Sequence, residues 1–407
     1  MSKWKTETLK SLTLQITDGK HGDCQNENNS GYYFISCKDI FDEKIHYTDA
    51  RQITYADYLD THKRTRLEIN DILITNSGTI GRMAFISDAE LCKKTTFQKS
   101  VAIVKPDPQK IYPKYLYYLL QSLVGSFVNS SNGSAQKNLL LSTMRDFSVC
   151  YINDVPVQRK IADVLSAYDD LIENNRRQIK LLEEAARRLY KEWFIDLRFP
   201  GHESTPIING IPEGWERKKL GEWVNTFSGG TPSRKNKEFY QNGSNFWLKT
   251  QELTDSFIFE TEEKITDRAI EYSSAKYIYP NSIIMAMYGA TIGKLGIAAT
   301  TLTCNQACCV FDLSSDSKKM PYLYLWLKSN RDFFISQGIG SAQSNLSQAM
   351  FKNFDIIVPC QKTLSNFSPI TTKIFAKILK LQKSVNEAKN ARDCLLPKLM
   401  TGELEVK

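Results

Sequence analysis

Histidine is scarce in this chain of 407 residues: there are four, scattered at His21, His46, His62 and His202. Nine cysteines are present, but no two form a Cys-x-x-Cys pair. Neither a zinc site nor a disulfide framework is therefore expected. Cys304, Cys308 and Cys309 cluster without a histidine or acidic neighbour and read as buried strand residues. A reducing cytoplasm is the natural compartment. No charge-free apolar run reaches the roughly 20 residues a membrane helix needs. The longest candidate, 283–299, contains Lys294 and several Gly and Ala positions, and the start MSKWKTETLK lacks the apolar core of a secretory signal.

Catalytic signatures are missing too. GATIGK at 289–294 has three residues between its glycines and Leu295 after the lysine, where a Walker A loop needs four and then Ser or Thr. It reads instead as a tight strand-to-strand turn with a basic tip, as does GTIGR at 78–82, because DILIT (71–75) and SIIMAM (282–287) precede them. PDPQK at 106–110 lacks a second carboxylate at nuclease spacing. No Asn-Pro-Pro-aromatic tetrapeptide, GxSxG or HExxH occurs. No catalytic or metal-ligating residue is expected.

Charge gives little direction. The net charge is +8, yet residues 1–158 carry 19 basic and 17 acidic side chains, and residues 195–362 carry 18 and 17. Half of the excess lies in 363–407, with 8 against 4. Such a balance permits phosphate binding without predicting it.

What the chain does have is duplication. GSAQKNL at 133–139 returns as GSAQSNL at 340–346, and YLYYLL at 115–120 as YLYLWL at 322–327. GTIGR matches ATIGK at 290–294; Trp4 matches Trp215; Phe147 with Pro156 is echoed by Phe354 with Pro359. Matched order with drifting offsets implies two homologous domains rather than a solenoid of short repeats.

A segment of different texture follows each copy. Between Val157 and Leu197 there is no Gly or Pro, and Ile161, Leu165, Tyr168, Ile172, Asn175, Ile179, Leu182, Ala186 and Leu189 recur at steps of four and three. That seam predicts a coiled-coil helix, and a length of about 36 residues makes a rod of roughly 54 Å. In the tail, Ile374, Ile378, Leu381, Val385, Ala388 and Leu395 keep the rhythm, with Arg392 in the one charged slot. Pro369 suits a helix start and Pro397 its end, for about 26 residues and roughly 39 Å. Two seams in one chain most simply pair with each other, and Asn175 would fix their register. The expected fold is α+β: two homologous mixed α/β domains separated by two long antiparallel helices that form an intramolecular coiled coil. The expected boundaries are 1–155, 156–196 for the first helix, 197–360, and 361–407 for the second helix and tail.

A fixed strut between two heads is a ruler, which suits a target with two halves. Gln136, Lys137 and Asn138, with Gln343, Ser344 and Asn345, offer donors and acceptors of the kind that read base edges. Alternatively they cap the next helix and tie the loop down. The divergent stretches 51–66 and 229–250, read as loops, mix Arg and Lys with Tyr, Asn and Gln as groove and phosphate contacts require. From them come Arg51, Lys63, Arg64, Arg66, Arg234, Lys235, Lys237 and Lys249 as candidate DNA contacts, joined by the turn-tip Arg82 and Lys294.

Several stretches also carry a family likeness. VQRKIADVLSAYDDLIENNRRQIKLLEE through LYKEWFIDLRFPG (157–201) resembles the central region of the specificity subunit of type I restriction–modification systems. IPEGWE (211–216) is similar to the start of that family's second recognition domain, and LLPKLMTGEL (395–404) to its ending. DGKHGD (18–23) and SGGTPS (228–233) resemble its alternative opening motifs. VPCQKTLSNF (358–367) departs from the Gln-Arg-Lys-Ile run seen at 158–161. The resemblance implies a non-catalytic, cytoplasmic subunit that reads double-stranded DNA, with no cofactor of its own and no membrane contact. It implies two methyltransferase subunits that use S-adenosylmethionine to methylate adenine, and motor-nuclease subunits that use ATP and magnesium. Each recognition domain would read half of an asymmetric site, and the helices would set the unread gap. The competing class is a coiled-coil adaptor with two protein- or peptide-binding heads, which the near-neutral heads favour.

Overall fold

The computed structural model describes residues 4–131, 138–337 and 345–406. The chain divides into two compact units, Met1–Leu171 with Ala388–Lys407, and Ile172–Glu387.

In the first unit a four-stranded antiparallel sheet runs in the order Thr13–Asp18, Val101–Pro106, Ile72–Thr75, Met83–Phe85. Ile72 pairs with Phe85 and Ile74 with Met83. The helix Pro113–Ser122 starts on a proline, whose missing N–H costs nothing in a first turn. Its YLYYLL run is buried throughout, against the sheet and the start of the first long helix. Trp4–Thr8 and Ser148–Ile152 close the unit as an antiparallel pair, and the Leu9 N–H donates to the Phe147 carbonyl at 2.8 Å.

The second unit repeats this plan. Its sheet runs Asn225–Ser228, Cys308–Asp312, Ile283–Ala286, Leu295–Ala298, Ser256–Ile258, with the last strand parallel to its neighbour. Ile283 pairs with Ile297 and Met285 with Leu295. Met320–Ser329 is the equivalent buried helix, and Glu216–Lys219 with Asp355–Val358 the closing pair. Leu220 donates to the Phe354 carbonyl at 2.9 Å, so the Phe147/Phe354 echo is a repeated hydrogen bond. Cys304, Cys308 and Cys309 are buried strand residues, as their surroundings suggested.

The two long helices are Val155–Tyr190, of 36 residues, and Gln361–Thr401, of 41. They pack on each other within each unit. In the first, Ile161, Ala162 and Leu165 share a core with Leu399 and Met400, and Asp169 meets Arg392 at 2.6 Å. In the second, Asn175 Nδ2 donates to Ser384 Oγ at 3.0 Å, and just past the end of the first helix the Phe194 ring lies 4.7 Å from that of Phe367. Numbers rise on one helix as they fall on the other, so both pairings are antiparallel. Each fully buried apolar seam residue contributes about 1.5–3 kcal/mol.

Three expectations are corrected. The second helix neither starts at Pro369 nor ends at Pro397, but runs through both. Phe367 and Thr371, on either side of Pro369, are fully buried, and Leu399 and Met400 beyond Pro397 are buried too. Their packing outweighs the roughly 3 kcal/mol that a helix-interior proline costs. The stop is Gly402, left-handed at φ 76°, beside Leu404 N–H donating to Lys398 O at 3.1 Å. Residues 51–66 are mostly not a loop, because Tyr55–Thr65 is a helix. Thr54 Oγ1 caps it by accepting from Asp57 N–H, Tyr58, Thr61 and Thr65 bury one face, and Arg66 ends it at φ 40°.

Candidate nucleic-acid interface

Both copies of the T-I-G motif connect paired strands. In the first unit Gly81 N–H donates to the Thr75 carbonyl at 2.9 Å, and Thr75 N–H to the Arg82 carbonyl at 2.8 Å. In the second, Gly293 donates to Ala286 at 2.9 Å and Ala286 to Lys294 at 3.0 Å. The basic residues Arg82 and Lys294 are exposed at the same position of each connection.

The last residues of the other repeated motif, 138–139 and 345–346, dock beside this one. Leu139 is fully buried, and its N–H donates to the Asn76 carbonyl at 2.8 Å; Leu346 is buried and donates to Met287, also at 2.8 Å. Asn138, bridged to Ser77, and Asn345 stay exposed beside the turns. Gln136, Lys137, Gln343 and Ser344 lie outside the described residues. Leu139 lies 63 residues after Asn76 and Leu346 59 after Met287; the fold joins them in the same contact, built twice.

Beside each sheet the variable sequence builds a satellite. Gly19 and Gly229 mark the two junctions. A Cβ on Gly19 would lie 1.9 Å from the Phe97 carbonyl oxygen, and one on Gly229 2.3 Å from that of Cys304. Only glycine lets the chain pass so close to a neighbouring backbone. The next residue then pairs: Lys20 N–H donates to Phe97 O at 2.8 Å, and Gly230 N–H to Cys304 O at 2.9 Å. The opening motifs DGKHGD and SGGTPS thus serve one structural purpose.

In the first satellite, Cys24, Phe34, Ile53 and Tyr58 form a small core. Arg51 is spent on it: Nη1 meets Asp23 at 2.6 Å, and the guanidinium also holds Asn26 and the Cys24 carbonyl. Arg64 pairs with Asp18. Lys20 bonds Asp57 at 3.0 Å, which raises the lysine and, with the Gln25 N–H, lowers the carboxylate. Lys63 and Arg66 are exposed and have no side-chain partner among the described residues. Tyr55, Leu59 and Lys63, spaced four apart, share the outer face of the helix, with Tyr55 53% exposed.

The second satellite packs Phe239, Trp247, Ile265, Ala269 and Ala275. Arg234 lies 4.2 Å over the Tyr240 ring and bonds Glu263 at 2.7 Å; Lys249 bonds Glu262 at 2.9 Å and Glu263 at 3.3 Å. Burial pushes the Glu263 carboxyl up, but these two cations pull it below its ordinary range. Lys235 and Lys237 are exposed with no partner among the described residues. Lys294 stands 3.8 Å from Asp255, whose carboxylate Arg331 grips with both Nη atoms. The candidates therefore fall into two sets. Lys63, Arg66, Arg82, Asn138, Lys235, Lys237 and Asn345 offer exposed side chains with no ion pair among the described residues, whereas Arg51, Arg64, Arg234, Lys249 and Lys294 already face carboxylates. Sequence reasoning missed Tyr272, Tyr277 and Tyr279, all exposed; their clustering in EYSSAKYIYP was the available signal.

A family model for the type I restriction modification DNA specificity domain matches residues 1–184 and 212–390. The chain belongs to this family. The MjaIX type I restriction enzyme specificity subunit of Methanocaldococcus jannaschii is 30% identical over 343 residues, covering 82% of this chain and 78% of that protein. The HindI specificity subunit of Haemophilus influenzae is 24% identical, covering 99% of this chain and 100% of the relative. A crystal structure of a type I restriction–modification S subunit from M. genitalium superposes with a TM-score of 0.60 at 15% identity, over 98% of this chain and 96% of that one. That likeness shows the fold of the specificity subunit: paired α/β units and long helices. Among the described residues no helix is long and apolar enough to cross a membrane.

Proposed function

We propose that this chain reads a bipartite, asymmetric site on double-stranded DNA, one half per unit, with the paired long helices setting the unread gap. It selects the site and performs no chemistry. Two methyltransferase subunits, carrying S-adenosylmethionine, methylate adenine where this chain directs them. Motor-nuclease subunits that use ATP and magnesium join through the complex to cleave unmodified DNA in the cytoplasm. The chain itself holds no cofactor.

One observation carries this reading: the same loop-on-turn feature is built twice, at Leu139 on Asn76 and at Leu346 on Met287, beside satellites whose sequences differ. Two like frames with unlike faces suit two half-sites of different sequence. Exposed cations at Lys63, Arg66, Arg82, Lys235 and Lys237 suit phosphates. The helices, roughly 54 and 62 Å long, exceed one DNA turn of about 34 Å.

The test is to insert one heptad into both helices, at matching antiparallel positions, and map methylated adenines in cells carrying the partner methyltransferase. Seven residues add roughly 10 Å, so the gap should grow by about 3 base pairs while both half-sites stay the same. Altered half-sites with an unchanged gap would overturn the ruler.

A further inference from the structure

The segment Asp267–Tyr279 forms the outer wall of the second satellite, and no candidate contact named from sequence lies in it. It is fixed from beneath. Ala269 and Ala275 belong to the small core, and Thr266 N–H donates to the Phe239 carbonyl at 3.0 Å. The backbone of Gly230 runs so close that a Cβ there would lie 2.3 Å from Ser274 and Ala275. On this rigid base Tyr272 is 67% exposed and Tyr279 50% exposed, with Tyr277 exposed between them. The Arg268 guanidinium lies 5.8 Å over the Tyr272 ring and bonds Glu238 at 2.8 Å, which ties the segment to the stretch bearing Lys235 and Lys237.

The charge of this face is positive by subtraction. Ion pairs occupy Glu238, Glu262 and Glu263, and Asn245 Nδ2 donates to Asp267 at 2.8 Å. Lys235, Lys237 and Lys276 are left without a carboxylate partner among the described residues, against Glu271 and Asp267, whose partners Asn245 and Tyr277 are neutral. A rigid face with exposed tyrosines flanked by unpaired lysines fits a DNA groove: the phenol edge meets bases and the lysines meet phosphates.

Resting on the function proposed above, we infer that Tyr272 and Tyr279 are base-reading residues for the half-site of the second unit, with Lys235, Lys237 and Lys276 on the flanking phosphates. The experiment uses the full chain with its methyltransferase partner and duplexes mutated in one half-site or the other. Tyr272→Phe with Tyr279→Phe keeps the rings and removes the hydroxyls; Tyr272→Ala with Tyr279→Ala removes both. One or both pairs should lower discrimination at one half-site by about five- to 150-fold, the worth of a base contact, and leave the other half-site unaffected. Lys235→Ala with Lys237→Ala should weaken binding to all duplexes alike and reduce the salt slope by about 2. Unchanged discrimination in both tyrosine pairs, with the first half-site still read, overturns this inference alone. If the wild-type complex reads no half-site, the bipartite reading falls with it.

Discussion

The two units place an acidic residue at the same point and tie it down differently. Glu43 and Asp255 are 212 residues apart, the offset of the two T-I-G turns, and both are left-handed, at φ 64° and 60°. In the first unit Glu43 reaches Arg392 of the second long helix, and Arg392 also takes Asp169 of the first at 2.6 Å. In the second unit Asp255 is gripped by Arg331 from its own domain. The long helices share an apolar core there, in which Tyr190, Phe375 and Ile378 lie with Phe257, Ile297 and Tyr324, beside a groove of about 750 Å³. The corresponding cleft in the first unit is about 370 Å³ and contains Glu43, Arg82 and Arg392. Both units pack apolar residues against their helices, and the first adds a charged lock. The same frame tolerates either arrangement, provided that the buried charge is fully partnered.

Breaking the charged lock should have the largest effect. Arg392→Ala strands Asp169 and Glu43 beside a cation-sized void, and Tyr118, which donates to Asp169, loses its oriented partner. A loss of about 3–5 kcal/mol is expected, the usual cost of breaking a buried pair from one side. Hydrogen exchange under native conditions should show lost protection in 1–171 and little change in the 220–350 region. Equal losses in both would mean that the units are not separately anchored, and the contrast would fail.

Much of this architecture was legible, and the parts that were not share a reason. The repeated Phe147 and Phe354 marked real hydrogen bonds, and the seam from Ile161 to Leu189 is buried or half-buried throughout. Periodicity is local, so the sequence displays it. Pro369 and Pro397 misled because local propensity lost to the packing of Phe367 and Leu399, which only the assembled fold supplies. The helix Tyr55–Thr65 was obscured by its charged, weakly apolar composition; its buried side is Tyr58 and two threonines. That Leu139 docks on Asn76, and Arg331 on Asp255, needed the topology, since neither contact is close in sequence. For the same reason composition could not separate spent cations such as Arg51 from exposed ones such as Lys63.

A smaller effect should come from the second unit's lock. Burial pushes the Asp255 carboxyl up, but Arg331, the Leu295 N–H at 2.9 Å and nearby cations outweigh it and hold the group below its usual range. A depressed carboxylate stabilises the fold above its unfolded value, near 3.8, and loses that contribution as pH falls through its folded value. Asp255→Asn should therefore cost about 1–3 kcal/mol at pH 7, and the gap to wild type should close below about pH 4. Denaturant melts across that range would decide it. A penalty that persists unchanged in acid would show that amide geometry, not charge, accounts for the loss.

The smallest effect is expected where the two helices meet through neutral polar groups. Asn175 is buried at the seam and bonded to Ser384, an uncharged counterpart of the Asp169–Arg392 contact. Replacing both partners, Asn175→Leu with Ser384→Ala, removes a donor and its acceptor together, so no buried group is left unsatisfied. Stability should be unchanged or rise by about 1 kcal/mol, because a polar seam residue specifies alignment at the expense of stability. The informative readout is the spacing between methylated half-sites. If alignment depends on Asn175, that spacing should become mixed while Arg392→Ala leaves it single. A single, wild-type spacing in the double variant would place the register in the surrounding apolar contacts, chiefly Ile172, Ile378 and Leu381.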